Sequence, residues 1–419
     1  MIQIRQVFIL IIIAGFFIAN FRLACADSLE STTPEQAGLS VTQLNRVEAI
    51  TRDHIDSGVL PGAVMLVARD GKVAWIRVLG FQDRQRNRPM KSDSLFRIYS
   101  MTKPIVSVGI MMLVEEGKLQ ITDPVSRFIP EFKDTKIGVE KVGSNGESSL
   151  DLVHPRRQIT IQDLLRHTSG LTYGGLGESL VHRAYREAKI GERGASNDEF
   201  ARRVAALPLR SSPGTQWEYG VSTDVLGRVI EVISGKTLGE FLEERIFKPL
   251  GMKDTAFYLP LEKVSRAAQP SPPKDGRPMT QRFSVEIKAP FESGGGGLIS
   301  SAHDYLRFAQ MLLNGGSYGG VRLLGKQTVE LMTSDHVGAI PGRPSGLGFG
   351  LGFEVRTNSG FAALPGSVGE YGWAGNAGTL FWIDPKHRLI ALYMVQVNDD
   401  DRIFLRNQFR TMVQAALIN

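Results

Sequence analysis

Tyr99-Ser100-Met101-Thr102-Lys103-Pro104, and the run behind it, Ile105-Val106-Ser107-Val108-Gly109-Ile110-Met111-Met112-Leu113-Val114, decide how this chain is read. The run is apolar almost all round, which marks a buried central helix rather than a surface one. Pro104 suits a first turn, where no intrahelical N–H is needed. Glu115-Glu116-Gly117 ends the run, with Gly117 placed for a left-handed stop. Ser100 and Lys103 share one face at the start of this helix. A hydroxyl beside a lysine at a helix N-terminus makes a candidate activated nucleophile, with the amine as base if its surroundings hold it unprotonated.

Upstream, Val41 to Val59 has helical spacing, with Leu44, Val47 and Ile50 on one side. Gly62 to Ala68 and Val73 to Leu79 read as strands joined by the hairpin turn Arg69-Asp70-Gly71-Lys72. Between about Leu119 and Ala289 strand patterns thin out. Short helices are expected over 158–167, from Thr223 to Ser234 with Ser222 as N-cap, and from Leu238 to Leu250. Gly138 to Pro155 and Ala268 to Met279 read as polar or proline-rich loops. After Phe291 a glycine tetrad, Gly294 to Gly297, leads into a helix from Ala302 to Leu313. Leu347 to Val355, Thr379 to Ile383 and Leu389 to Val397 read as strands, and Arg402 to Leu417 as an amphipathic closing helix. The pattern is α+β, an α/β sandwich: a mostly antiparallel sheet drawn from both ends of the chain and flanked by helices. The expected division is 27–118 with 288–419 for the sheet domain, and 119–287 for a mostly helical insertion.

The 419 residues carry 42% hydrophobic and 22% charged side chains, with a formal charge of +6. The basic residues are scattered and not interleaved with aromatics, which argues against nucleic-acid binding. Arg5, an apolar stretch from Val7 to Phe21 and the small-x-small site Ala24-Cys25-Ala26 form an export signal, with cleavage expected after Ala26. A retained anchor and a lipid-modified Cys25 are the rival readings. Cys25 is the single cysteine, so a chain cut there has no disulfide, thiol nucleophile or cysteine-ligated metal.

Other motifs carry less. A second Ser-x-x-Lys, Ser271-Pro272-Pro273-Lys274, has two prolines in a loop and cannot present its ends on a helix face. Gly315-Gly316-Ser317-Tyr318-Gly319 follows a helix and precedes a strand, the reverse of a nucleophile elbow. The seven histidines show no metal-ligand spacing. Gly346, Gly348, Gly350 and Gly352 precede no helix and are no dinucleotide fingerprint.

Phe96-Arg97-Ile98-Tyr99-Ser100-Met101-Thr102-Lys103-Pro104 resembles the nucleophile segment of the serine β-lactamase and penicillin-binding-protein superfamily. It is most similar to class C β-lactamases and the family VIII carboxylesterases. Leu164 to Leu171, Trp217 to Ser222, Pro249 to Met252 and Ser293 to Leu298 extend the likeness in order along most of the chain. The resemblance implies a β-lactamase/transpeptidase-like fold, Ser100 as acyl-accepting nucleophile, Lys103 in removing its proton, and Tyr219 as a partner in the base role. It further implies an oxyanion hole from the backbone N–H groups of Ser100 and Asn376. Two departures stand out. Val221 replaces the asparagine of the second motif, and Trp373-Ala374-Gly375 replaces Lys-Thr-Gly, a Trp-x-Gly form similar to that of some family VIII esterases. Without the asparagine and the lysine, the substrate-binding segment Trp373, Ala374, Gly375 favours neutral esters over anionic β-lactams. The implied protein is a periplasmic or secreted serine hydrolase acting on a small ester or amide through an acyl-enzyme. It needs no cofactor or metal, and its oligomeric state stays open. A β-lactamase, a D-peptidase or amide hydrolase, and a non-catalytic envelope-binding protein are the alternatives.

Overall fold

The computed structural model describes residues 30–144, 146–191, 194–271, 283–397 and 401–418. The export signal, Cys25 and the Pro272-Pro273-Lys274 part of the second tetrad lie outside these residues.

The main sheet has eight strands: β1 Gly62–Arg69, β2 Lys72–Asp83, β3 Arg88–Pro89, β4 Leu347–Phe349, β5 Glu354–Arg356, β6 Tyr371–Ala374, β7 Leu380–Asp384 and β8 Leu389–Val395. Their order is β4-β5-β6-β7-β8-β1-β2-β3, every pair antiparallel. The first and last strong strands of the chain therefore pair at the sheet's centre, with Ala63 opposite Val395 and Arg69 opposite Leu389.

Both faces of the sheet are covered, which is why β1 and β8 are buried along almost their whole length. Alternation sorts their side chains. Met65, Val67, Ala391 and Tyr393 pack against Leu44 and Val47 of the helix Val41–Asp56 and Phe409 and Val413 of the closing helix Arg402–Gln414. Val64, Leu66, Leu392 and Met394 face the opposite core, which holds the central helix Thr102–Glu115. In that helix every residue from Thr102 to Leu113 is buried, as its all-round apolarity requires. Each of its fully buried large aliphatic side chains contributes about 1.5–3 kcal/mol relative to an exposed one.

Four local readings change. Gly138 to Pro155 is not a loop but a two-stranded ribbon, Ile137–Val142 against Ser148–Val153. Val139, Val142, Leu152 and Val153 stay exposed, so no buried face imposed a readable alternation. Leu347 to Val355 is two strands rather than one, because the chain reverses through Gly352, whose φ is +101°. Ser222 is not an N-cap. The helix Ser222–Ser234 begins with it, Val221 precedes it, and the Ser222 hydroxyl bonds Ser169 Oγ at 2.8 Å. The Leu238 to Leu250 helix contains a π-helical stretch at Glu243–Phe247. Two further helices, Leu180–Glu187 and Asn197–Ala205, are capped by Ser179 and Ser196.

Candidate active site

Ser100 lies in a short 3-10 turn, Tyr99–Met101, that runs directly into the central helix. Tyr99, just before it, has a φ of +45°, a left-handed backbone that is strained for a tyrosine. The turn is tied down on both sides: Ile98 N–H donates to Leu298 O at 3.0 Å, and Tyr305 Oη donates to Met101 O at 2.9 Å.

Lys103, 1% exposed, points back along the helix to Ser100. Its Nζ lies 3.3 Å from Ser100 Oγ, 3.2 Å from Tyr173 Oη and 2.6 Å from the carbonyl oxygen of Gly295. The glycine tetrad is thus part of the lysine's cage. Asp224, from the helix Ser222–Ser234, holds the tetrad from behind: its Oδ1 accepts from Ser293 Oγ at 2.5 Å and from Gly295 N–H at 2.9 Å. A Cβ on residue 295 would lie 2.2 Å from Asp224 Oδ2, so only glycine fits there.

Tyr219 meets Lys103 through its ring, whose centroid is 4.7 Å from Nζ, while its hydroxyl accepts from Trp373 Nε1 at 3.2 Å. The phenol within hydrogen-bond reach of Lys103 is Tyr173. Burial, followed by the charge of Asp224, pushes the Tyr173 hydroxyl well above the usual phenol range, so it stays a protonated phenol. Beneath Tyr219 sits His167, ring centroids 4.8 Å apart, in a left-handed conformation with φ +58°. Burial, then the positive charges of Lys103 and Arg343, hold its imidazole well below its ordinary pKa and therefore neutral.

The third motif is placed differently from the expectation. Trp373 stands on β6 opposite Phe381, its ring between Tyr219 and Phe349 at centroid distances of 5.4 and 5.2 Å. Its N–H is engaged by Tyr219, so it supports that tyrosine from the side. Gly375 is required by close packing: a Cβ there would lie 2.3 Å from Ile98 O and 2.2 Å from Thr379 Oγ1. This contact locks the 375–378 loop against the segment carrying Ser100. The turn bonds Gly375 N–H to Thr379 O and Gly378 N–H to Gly375 O fix the loop around Asn376.

A cleft of about 1210 Å³ opens over these groups. Ser100, Tyr219 and Asn376 line it, as do Tyr173, Asp224 and Val221. Trp373, Ala374 and Gly375 are not among the lining residues described. Its outer wall comes from the region that gave no sequence signal: Tyr185 and Arg186 of the helix Leu180–Glu187, and Phe200 of Asn197–Ala205, stacked on Phe291 at 4.6 Å. Among the described residues no cluster of histidine and acidic side chains is arranged to hold a metal ion.

Tyr173 and Asp224 escaped the sequence reading. Tyr173 lies just past the quoted Leu164 to Leu171 segment, and Asp224 just past Trp217 to Ser222, so a search one turn beyond each motif finds both.

The chain is similar to known proteins over most of its length. Protein Rv1367c of Mycobacterium tuberculosis is 36% identical over 368 residues, covering 83% of this chain and 89% of that protein. Esterase EstB of Burkholderia gladioli is 31% identical over 362 residues, covering 81% of this chain and 86% of that protein. Among solved structures, EstCE1, a hydrolase with promiscuous acyltransferase activity, superimposes with a TM-score of 0.73 at 27% identity, over 90% of this chain and 99% of that one. The family model described as Beta-lactamase matches residues 47–412, and the chain, with its serine and lysine at the head of the central helix, belongs to the Beta-lactamase family.

Proposed function

We propose that this protein is a serine carboxylesterase that hydrolyses neutral esters through an acyl-enzyme on Ser100. The observation that carries this reading is the environment of Lys103. Its Nζ donates to Gly295 O and Tyr173 Oη and lies 3.3 Å from Ser100 Oγ, so that in the amine form its lone pair can meet the serine hydroxyl. Lys103 takes the serine proton as Oγ bonds to the ester carbonyl carbon. The oxyanion is met by the backbone N–H groups of Ser100 and Asn376. Collapse breaks the ester C–O bond, and the alcohol leaves with a proton. The Lys103 ammonium returns the serine proton to the leaving oxygen and is an amine again, while Tyr219, whose oxygen accepts from Trp373, keeps its own O–H to bond that oxygen in the cleft. Water then repeats the sequence on the acyl-enzyme and releases the acid.

Val221, 3% exposed, gives the cleft an apolar edge where the relatives named by the resemblance carry an amide, and Trp373, engaged with Tyr219, brings no ammonium where they carry one. Neither Val221 nor Trp373 offers a carboxylate the amide or the charge that the second and third motifs of those relatives supply, so neutral esters are favoured over β-lactams and over peptides ending in a free carboxylate. Esterase EstB being 31% identical supports the same choice. Short p-nitrophenyl esters, nitrocefin and a D-Ala-D-Ala peptide, run side by side, test it. Ester turnover well above the other two is expected, and β-lactam turnover far above ester turnover reverses the assignment. A fluorophosphonate probe separates the non-catalytic alternative, which forms no adduct on Ser100.

Export is part of this proposal. It rests on Val7 to Phe21 and Ala24-Cys25-Ala26, and a mature chain beginning at Asp27, read by intact-mass measurement on secreted protein, is the expected result. Among the described residues no helix is long and apolar enough to cross a membrane.

A further inference from the structure

We propose that Asp224 is the positioning residue of this site, holding Gly295 against Lys103 and supplying the counter-charge for the ammonium that forms when Ser100 is deprotonated. The inference deepens the reading of Ser100 and Lys103 as nucleophile and base, and rests on it.

Gly295 joins the two groups by its two ends. Its N–H donates to Asp224 Oδ1 at 2.9 Å, and its carbonyl accepts from Lys103 Nζ at 2.6 Å. Ser293 Oγ adds a second bond to the same carboxylate oxygen at 2.5 Å, so the carboxylate fixes the tetrad at two points. Asp224 is 4% exposed and Lys103 1% exposed, so neither charge is screened by bulk water. No ion pair joins them directly, and backbone lies between. The site therefore holds a base, a buried carboxylate and no direct contact between the two. A proton moved from Ser100 to Lys103 turns an amine into an ammonium inside this pocket, and that cation gains most from a carboxylate already in place. Burial pushes the Asp224 carboxyl upward, and the charge of Lys103 is the largest opposing influence. The groups facing Asp224 and Lys103 are Tyr173 and Tyr219 from the loops, neutral His167 beneath Tyr219, and Arg402 at the cleft wall.

The test separates charge from scaffolding. Asp224→Asn keeps an acceptor for Ser293 and Gly295 and removes only the charge. Its kcat/KM on a p-nitrophenyl ester is expected to fall about 100-fold, and the acid limb of its pH profile to move about one unit lower, because the carboxylate no longer favours the protonated site. Ser293→Ala keeps the charge, and a wild-type pH profile is expected from it. The position of the limb does not depend on how much of a variant folds. Should Asp224→Asn yield no folded protein, 13C titration of the wild type replaces it: the Asp224 carboxyl and Lys103 Cε are expected to titrate together over one interval. A wild-type pH profile and rate in Asp224→Asn, or independent titration of the two groups, overturns the proposal. Lys103→Ala and Ser100→Ala tell this failure from a failure of the functional reading: if both are inactive and Asp224→Asn is normal, only the role of Asp224 falls.

Discussion

Two buried charge clusters in this molecule are built in opposite ways. Near the edge of the sheet, Glu370, 1% exposed, is gripped by Arg356 of β5, by Arg410 of the closing helix and by Gln414 at 3.2 Å. Its charge is met directly, and the cluster clamps the helix to the sheet. At the cleft, Lys103 and Asp224 are equally buried but kept apart by Gly295. A charge that meets its partners directly makes an anchor. A charge held one backbone step from its partner has a neighbouring hydroxyl as its next contact, and is free to exchange a proton. The difference separates a structural cluster from a chemical one without reference to any relative.

The largest effect is expected from Ser100→Ala, which should lower ester turnover by about 10⁵-fold while leaving the thermal unfolding midpoint near that of the wild type; retained turnover would sink the assignment of the nucleophile. Glu370→Ala should do the reverse. Stranding Arg356 and Arg410 without their carboxylate should reduce unfolding free energy by about 3–5 kcal/mol, measured by urea titration, with kcat on the remaining folded protein unchanged. A loss of kcat there would erase the distinction between the two clusters. Trp373→Phe removes one donor from Tyr219 and keeps the aromatic packing; about a 10-fold fall in kcat, from loss of a fixed hydroxyl, is expected, and an unchanged kcat would leave Tyr219 without its assigned orientation.

The smallest effect concerns pH and stability. His167 is held below the ordinary imidazole value of about 6.5, first by burial and then by the charges of Lys103 and Arg343. The unfolded chain binds a proton as pH falls through about 6.5, and the folded one does not, so stability is present above that value and declines below it by at most about 1.4 kcal/mol per pH unit. Urea midpoints between pH 7.5 and 5.5 should show this slope, and His167→Gln should flatten it. An unaltered slope in the variant removes His167 as its source.

Ser100, Lys103 and the helix they open were legible because the signal is local. An all-round apolar run with a proline in its first turn has one reading, and a serine three residues before a lysine shares a face with it at that helix start. A sheet drawn from both ends of the chain was legible from the strong apolar strands there; that β1 pairs with β8 came from the structure. The ribbon at Ile137–Val153 was not legible, because its apolar residues remain exposed and no core enforced a period. The helices at Leu180–Glu187 and Asn197–Ala205 are short and rich in charge, and only packing against the cleft selects them.

Sequence alone therefore set the serine and the lysine at the head of the central helix and the layered fold around them, since each rests on spacing along one helix or one strand. Tertiary structure decided which phenol touches the lysine, that Trp373 serves Tyr219, and that Asp224 stands behind Gly295. These are meetings between residues from distant parts of the chain, fixed by distances of a few ångströms that no spacing along the sequence encodes.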